Sequence, residues 1–203
     1  MNSAASGTTV TFDPTTALVV VDVQNDFADP EGNLYVDGGE RTVPVINDLV
    51  AEAVGARSPV VYTQDWHPER TPHFVTDGGT WPVHCVRDTW GAELHPDLRV
   101  DGPVVRKGTG GEDGYSGFSM RDVGTGEERS TGLDEMLRER AVERVVVVGL
   151  AEDVCVKATA LDARRLGYDT TVIGSATRPV EVEPGDADRA RSELTHAGVH
   201  LIR

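Results

Sequence analysis

The sequence predicts a doubly wound α/β fold, a mostly parallel six-stranded sheet with helices on both faces in three layers. Short β-branched runs alternate with helix-like patterns along the chain. Parallel neighbours need crossover connections, and intervening helices supply them. The run 144–150, RVVVVGL, is apolar without alternation, as a strand buried on both faces must be.

The elements follow in order. Residues 17–23 read as the first strand, 43–56 as a helix and 59–63 as the second strand. A long irregular stretch, about 65–101, separates these from a third strand at 103–106. Connections of that length inside a compact domain are commonly functional. Alternation then resumes, with helix 133–140, strand 144–150, helix 156–166 and strand 170–173. Helix 186–197 and strand 199–202 complete the set.

At 203 residues the chain fits a single domain spanning 1–203, with 1–14 expected to be a flexible N-terminus. Acidic residues number 34 against 19 basic ones, and the net charge of −15 repels nucleic acid and anionic lipid. No nucleic-acid or membrane partner is expected. Two cysteines, Cys85 and Cys155, are too few for a disulfide framework and suit a reducing cytosol. The N-terminus lacks a basic region followed by an apolar core, and the aliphatic runs 17–21 and 145–148 are too short to span a bilayer. A cytoplasmic protein is expected, and its charge leaves a homo-oligomer open.

Cys155 is the most informative residue. It follows the strand 144–150 in a tight turn ahead of a helix, where unpaired N–H groups favour a thiolate and can hold an oxyanion. A buried cysteine is also often inert packing. Ligands in open parallel sheets bind beyond the carboxyl ends of strands. The first strand ends at Asp22, the second at Asp65, the third leads into Lys107, and the fourth turns into Cys155. Singly, each has a bland reading as turn former, cap or surface charge. Together, Asp22, Lys107 and Cys155 supply a base, an ammonium and a nucleophile for one rim.

Four of the six histidines lie between positions 67 and 95. Asp65 and His67 are two apart and project to one side of extended chain, with His73 and His84 beyond, which is a donor set for a borderline divalent metal. Exposed loop histidines are the competing reading. His95 reads as structural, and Cys85 as packing. The glycine-rich stretch 108–114 lacks the spacing of a phosphate loop and carries Glu112 and Asp113, so it reads as a mobile active-site loop.

The motifs DVQNDF (22–27), DWHP (65–68), GGTWPVHCV (78–86), GAELHPDL (91–98), RKG (106–108), YSGF (115–118), GLAEDVCVKATALDA (149–163) and PGD (184–186) stand in one family's order. Through them nearly the whole chain resembles the nicotinamidase branch of the isochorismatase-like cysteine hydrolases, which includes pyrazinamide-hydrolysing enzymes and has a Rossmann-like architecture. The resemblance implies a catalytic triad of Asp22, Lys107 and Cys155. It implies one divalent ion, Zn2+ or else Fe2+ or Mn2+, on Asp65, His67 and His84, with His73 as a ligand in part of the family. It further implies a cis peptide before Ala151, an oxyanion hole of the Ala151 and Cys155 N–H groups, and a ring pocket walled by Phe27, Trp81 and Tyr115.

The implied activity is hydrolysis of nicotinamide, a small aromatic amide, to nicotinate and ammonia through a cysteine thioester, in NAD salvage. Alternatives are a related amidase acting on another small amide and a non-catalytic metal-binding α/β protein. Three departures bear on ring specificity. Glu152 adds charge near the pocket, Val154 replaces what is often an aromatic or histidine, and the segment from His73 to Trp81 is short.

Overall fold

A computed structural model describes residues 10–203. In chain order its elements are β1 (Thr16–Val21), α1 (Asn25–Ala28), α2 (Thr42–Gly55), β2 (Val60–Asp65), β3 (Val104–Lys107), β4 (Ser119–Arg121), β5 (Glu128–Ser130), α3 (Leu133–Arg138), β6 (Arg144–Leu150), α4 (Lys157–Arg165), β7 (Asp169–Arg178), α5 (Asp186–His196) and β8 (His200–Ile202). Most of the expected flexible N-terminus lies outside the described residues. Of the remainder, Phe12 is buried in the core and Asp13 accepts hydrogen bonds from Thr15 and Thr16.

Six strands form one sheet in the order β3-β2-β1-β6-β7-β8, and every pair in it is parallel. The chain runs outward from β1 through β2 to β3, then returns to lay β6 against the other side of β1. That reversal makes the crevice beyond the carboxyl ends of β1 and β6 the natural ligand site.

The alternation of side chains along a strand divides the core in two. Leu18, Val20, Val146 and Val148 face the layer of α2, against Val43, Ile46, Val50 and Ala53. Ala17, Val19, Val21, Val145 and Val147 face the layer of α3 and α4, with Leu194 of α5. Every residue of β1 is buried, so its apolar run is continuous rather than alternating.

Besides the short helix α1, which the sequence reading lacked, and shifts of a residue or two at element ends, the structure departs from that reading in three larger ways. β7 runs for ten residues, well past 173, because Thr177 and Arg178 pair with Gly149 and Leu150 after a register shift. Its polar second half, GSATR, carries no strand signature of its own. A small antiparallel hairpin, β4 with β5, stands apart from the main sheet. The helix expected from 156 is preceded by a five-residue π turn, Glu152–Val156, and that turn holds Cys155. Among the described residues no helix is long and apolar enough to cross a membrane.

Candidate active site

Asp22, Asp65, Lys107 and Cys155 meet at the carboxyl end of the sheet, and all four are buried. Asp22 leaves β1 with a φ of 48°, a left-handed backbone that is uncommon for an aspartate. Its Oδ1 accepts a 2.7 Å hydrogen bond from Thr63 Oγ1. Its Oδ2 stands 2.7 Å from Lys107 Nζ. Gly149, at φ 111°, lies so close that an added Cβ would sit 2.1 Å from the Val21 carbonyl oxygen, so only glycine lets β6 close on β1 here.

Lys107 is the hub. Its ammonium also lies 2.5 Å from Asp65 Oδ1 and 3.9 Å from Cys155 Sγ, and it donates to the Gly114 carbonyl. Burial opposes its charge, but the Asp22 and Asp65 carboxylates outweigh burial and hold it protonated, well above the ordinary lysine range. Burial pushes the Asp22 carboxyl up to about 6, against the pull of Lys107. Burial would raise Asp65 as well, but Lys107 holds it below the usual carboxylate range.

The Cys155 thiol is pushed well above its ordinary range by burial, with Lys107 pulling the other way. This corrects the expectation that the turn alone favours a thiolate. A carboxylate oxygen of Asp22 and the Cys155 sulfur lie within 4.8 Å, so the thiol has a carboxylate of raised proton affinity beside it.

Ligand-capable nitrogens of His67, His73 and His84 lie within 4.8 Å of one another. Both ring nitrogens of His67 are buried with no hydrogen-bond partner, and its Nε2 is 3.9 Å from Asp65 Oδ2. His73 Nδ1 donates to Asp113 Oδ1 at 2.6 Å, and His84 Nδ1 donates to the Pro82 carbonyl at 2.7 Å. With Nδ1 so engaged, Nε2 is the nitrogen that each ring has left to offer an ion. Burial drives His67 down to about 3 and lowers His84, so both rings are neutral, the form that binds metal. Orphaned nitrogens, neutral imidazoles and oriented outer partners together fit a divalent ion. Asp65 joins this cluster to the lysine.

Phe27, Trp81 and Tyr115 line one cavity together with Ala151 and Cys155, and His73 and His84 line it as well. Trp81 Nε1 donates to the Tyr115 hydroxyl at 2.9 Å, which locks two of the walls to each other. The Leu150–Ala151 peptide is cis. Leu34, Val36 and Val180 complete the apolar lining, three residues that no sequence motif singled out.

Glu152 stands next to the lining residue Ala151 without itself lining this cavity. Its carboxylate turns to Arg191 and Thr177, whereas Val154 does line the cavity. His95 serves the loop, accepting from the Asp97 N–H at 3.2 Å, and Cys85 is free and buried. The glycine-rich stretch is packed against the site through Gly108 and Gly114.

Sequence reasoning missed the supports. Gln24 donates to the Asp65 carbonyl at 2.8 Å while its Oε1 accepts from the Asp65 N–H at 2.8 Å, which fixes the end of β2. Gln24 is the third residue of DVQNDF, and that motif was the one signal that pointed to it. Thr63 and Asp113 carried no such signal.

The fold and the site together bring a thiol, an ammonium and two carboxylates to the rim of a doubly wound parallel sheet. Residues 16–203 match the Isochorismatase domain, and the chain belongs to that family. It is 37% identical to the nicotinamidase of Escherichia coli strain K12, over 93% of this chain and 94% of that one. The structure of PnC1 from L. infantum in complex with nicotinate superposes with a TM-score of 0.87 at 39% identity, covering 96% of both chains. The pyrazinamidase of Pyrococcus horikoshii in complex with zinc gives a TM-score of 0.82 at 37% identity, over 94% of this chain and 99% of that one.

Proposed function

We propose that the chain is a nicotinamidase, an amidohydrolase that converts nicotinamide to nicotinate and ammonia, working as a single domain in NAD salvage in the cytoplasm. The observation that carries this reading is the contact of Lys107 with Asp22 and Cys155, with Cys155 lining a cavity that His73 and His84 of the histidine cluster line as well.

Asp22 takes the proton of the Cys155 thiol as sulfur attacks the amide carbonyl. The Ala151 and Cys155 N–H groups hold the tetrahedral oxyanion. Asp22 returns its proton to the nitrogen, ammonia leaves, and a thioester remains. Asp22 then draws a proton from water, which attacks the thioester and releases nicotinate. Lys107 keeps Asp22 oriented and its charge balanced throughout. Phe27, Trp81 and Tyr115 hold the ring so that the carbonyl carbon meets sulfur.

Asp65, His67, His84 and His73 would hold one divalent ion, zinc by the chemistry of the donors, with iron or manganese as alternatives. Held by these residues, the ion would supply a positively charged anchor that helps orient the substrate ring.

The test is ammonia release from nicotinamide by the metal-loaded protein. Rapid release with nicotinate as product upholds the reading, and Cys155→Ala abolishes it while leaving metal content intact. No release from nicotinamide by protein that holds metal would overturn it.

A further inference from the structure

We propose that the Arg191–Glu152 ion pair is a positioning device that fixes the Cys155 turn from α5. The proposal rests on Cys155 being the nucleophile.

Glu152 is the first residue of the π turn that carries Cys155, and it is only 4% exposed. One carboxylate oxygen, Oε1, accepts a 2.6 Å hydrogen bond from Arg191 Nε. The other, Oε2, accepts from Thr177 Oγ1 at 2.9 Å. Both oxygens are therefore spoken for by different elements, α5 on one side and β7 on the other. A carboxylate held in this way has little freedom to rotate.

The next residue extends the clamp. Asp153 Oδ1 accepts from the Val180 N–H at 2.9 Å and Oδ2 from the Glu181 N–H at 2.8 Å. Two successive acidic side chains thus tie the turn to three separate segments before the chain reaches Val154 and Cys155, which line the cavity. The thiol must meet both Asp22 and the substrate carbonyl, and a displacement of about 1 Å can cost up to 100-fold in rate. A π turn also lacks the full hydrogen-bond pattern of an α-helix, so outside anchors matter more to it.

Of these anchors Arg191 is the one that bears the opposite charge. Removing it leaves a buried carboxylate without its cation, three residues from the nucleophile. Glu152 then has reason to seek water, and the turn goes with it. Arg191 touches neither the cavity nor the histidine cluster, so its effect reaches the chemistry only through the turn.

The experiment compares wild type with Arg191→Ala, Arg191→Lys and Glu152→Gln at one pH and full metal loading, and normalises kcat to folded protein. Arg191→Ala is expected to lower kcat by about 10-fold or more, with KM and bound metal within about two-fold of wild type. Arg191→Lys, which keeps the charge, is expected to recover most of the loss. Unchanged kcat per folded molecule in Arg191→Ala would overturn the proposal, because a purely structural role reduces the folded fraction alone. Should Arg191→Ala not fold, Glu152→Gln decides by the same split: a lowered kcat at steady KM supports the device and an unchanged kcat overturns it. An inactive wild type would count against the nicotinamidase reading, and the rate of Cys155 alkylation in the same variants then tests the turn directly, with equal rates overturning the device.

Discussion

Lys107 Nζ and Asp22 Oδ2 form an ion pair at 2.7 Å with both side chains wholly excluded from solvent. One more charge crowds this pair, since Asp65 Oδ1 is 2.5 Å from the same ammonium. One cation therefore serves two carboxylates, both within 4.8 Å of the Cys155 sulfur, and Asp22, the one with the higher proton affinity, is the one that hydrogen-bonds the thiol.

The first consequence is a pH profile. Burial raises Asp22 to about 6, and only its deprotonated form can accept the thiol proton. kcat/KM for ammonia release is therefore expected to fall as pH drops through about 6 and to level off above it. Asp22→Asn should remove the acid limb together with nearly all activity. A rate independent of pH between about 5 and 7 would contradict the assignment of Asp22 as base.

Loss of Lys107 leaves two buried carboxylates without a counter-charge. Lys107→Met is expected to destabilise the fold by about 3–5 kcal/mol, measured by urea denaturation. Lys107→Arg should not restore activity, because a planar guanidinium cannot occupy the point at which Asp22, Asp65 and the Gly114 carbonyl converge.

Asp113 holds His73 in one tautomer and ring orientation. Asp113→Asn is expected to weaken metal binding by about 10–100-fold, read by competition with a chromophoric chelator. His67→Ala should lose the metal altogether, since both nitrogens of His67 lack any other partner. Retention of metal by His67→Ala would exclude it from the ligand set.

Gly108 adopts φ +70°, and a Cβ there would lie 2.5 Å from His67 Cε1. Gly108→Ala combines a left-handed backbone with a clash against a rigid ring, and a loss of about 1–3 kcal/mol is expected. Thermal melting with and without added zinc measures it. The melting shift produced by zinc should shrink in the variant, because His67 must give way.

How far the site was readable depends on how local its signals are. The strand Arg144–Leu150 was legible to the residue because its apolar run leaves no other assignment. Asp22, Lys107 and Cys155 were legible because each lies at or just beyond the end of a strand, and strand ends in a parallel sheet converge. Thr63, Asp113 and Arg191 were not, since each acts across roughly 40 residues of sequence on a partner that no spacing rule connects to it. The partner of Glu152 was hidden for the same reason: its charge was visible, but the arginine that claims it lies 39 residues on. The raised proton affinity of Cys155 was likewise invisible, because burial belongs to the assembled fold and not to the turn.

β3 is a strand of four residues at the sheet's margin, hydrogen-bonded in that sheet to β2 alone, and it supplies Lys107. Marginal strands open before interior ones. When β3 frays, the ammonium withdraws and the carboxylates and thiol it organises become an inert set, while β1, β2 and β6 remain packed. Turnover is thus tied to an edge of the sheet rather than to its centre. Under rising denaturant, activity should vanish at a lower concentration than the circular dichroism of the sheet. The fold carries a fuse: a chain that has begun to come apart falls silent while most of it is still intact.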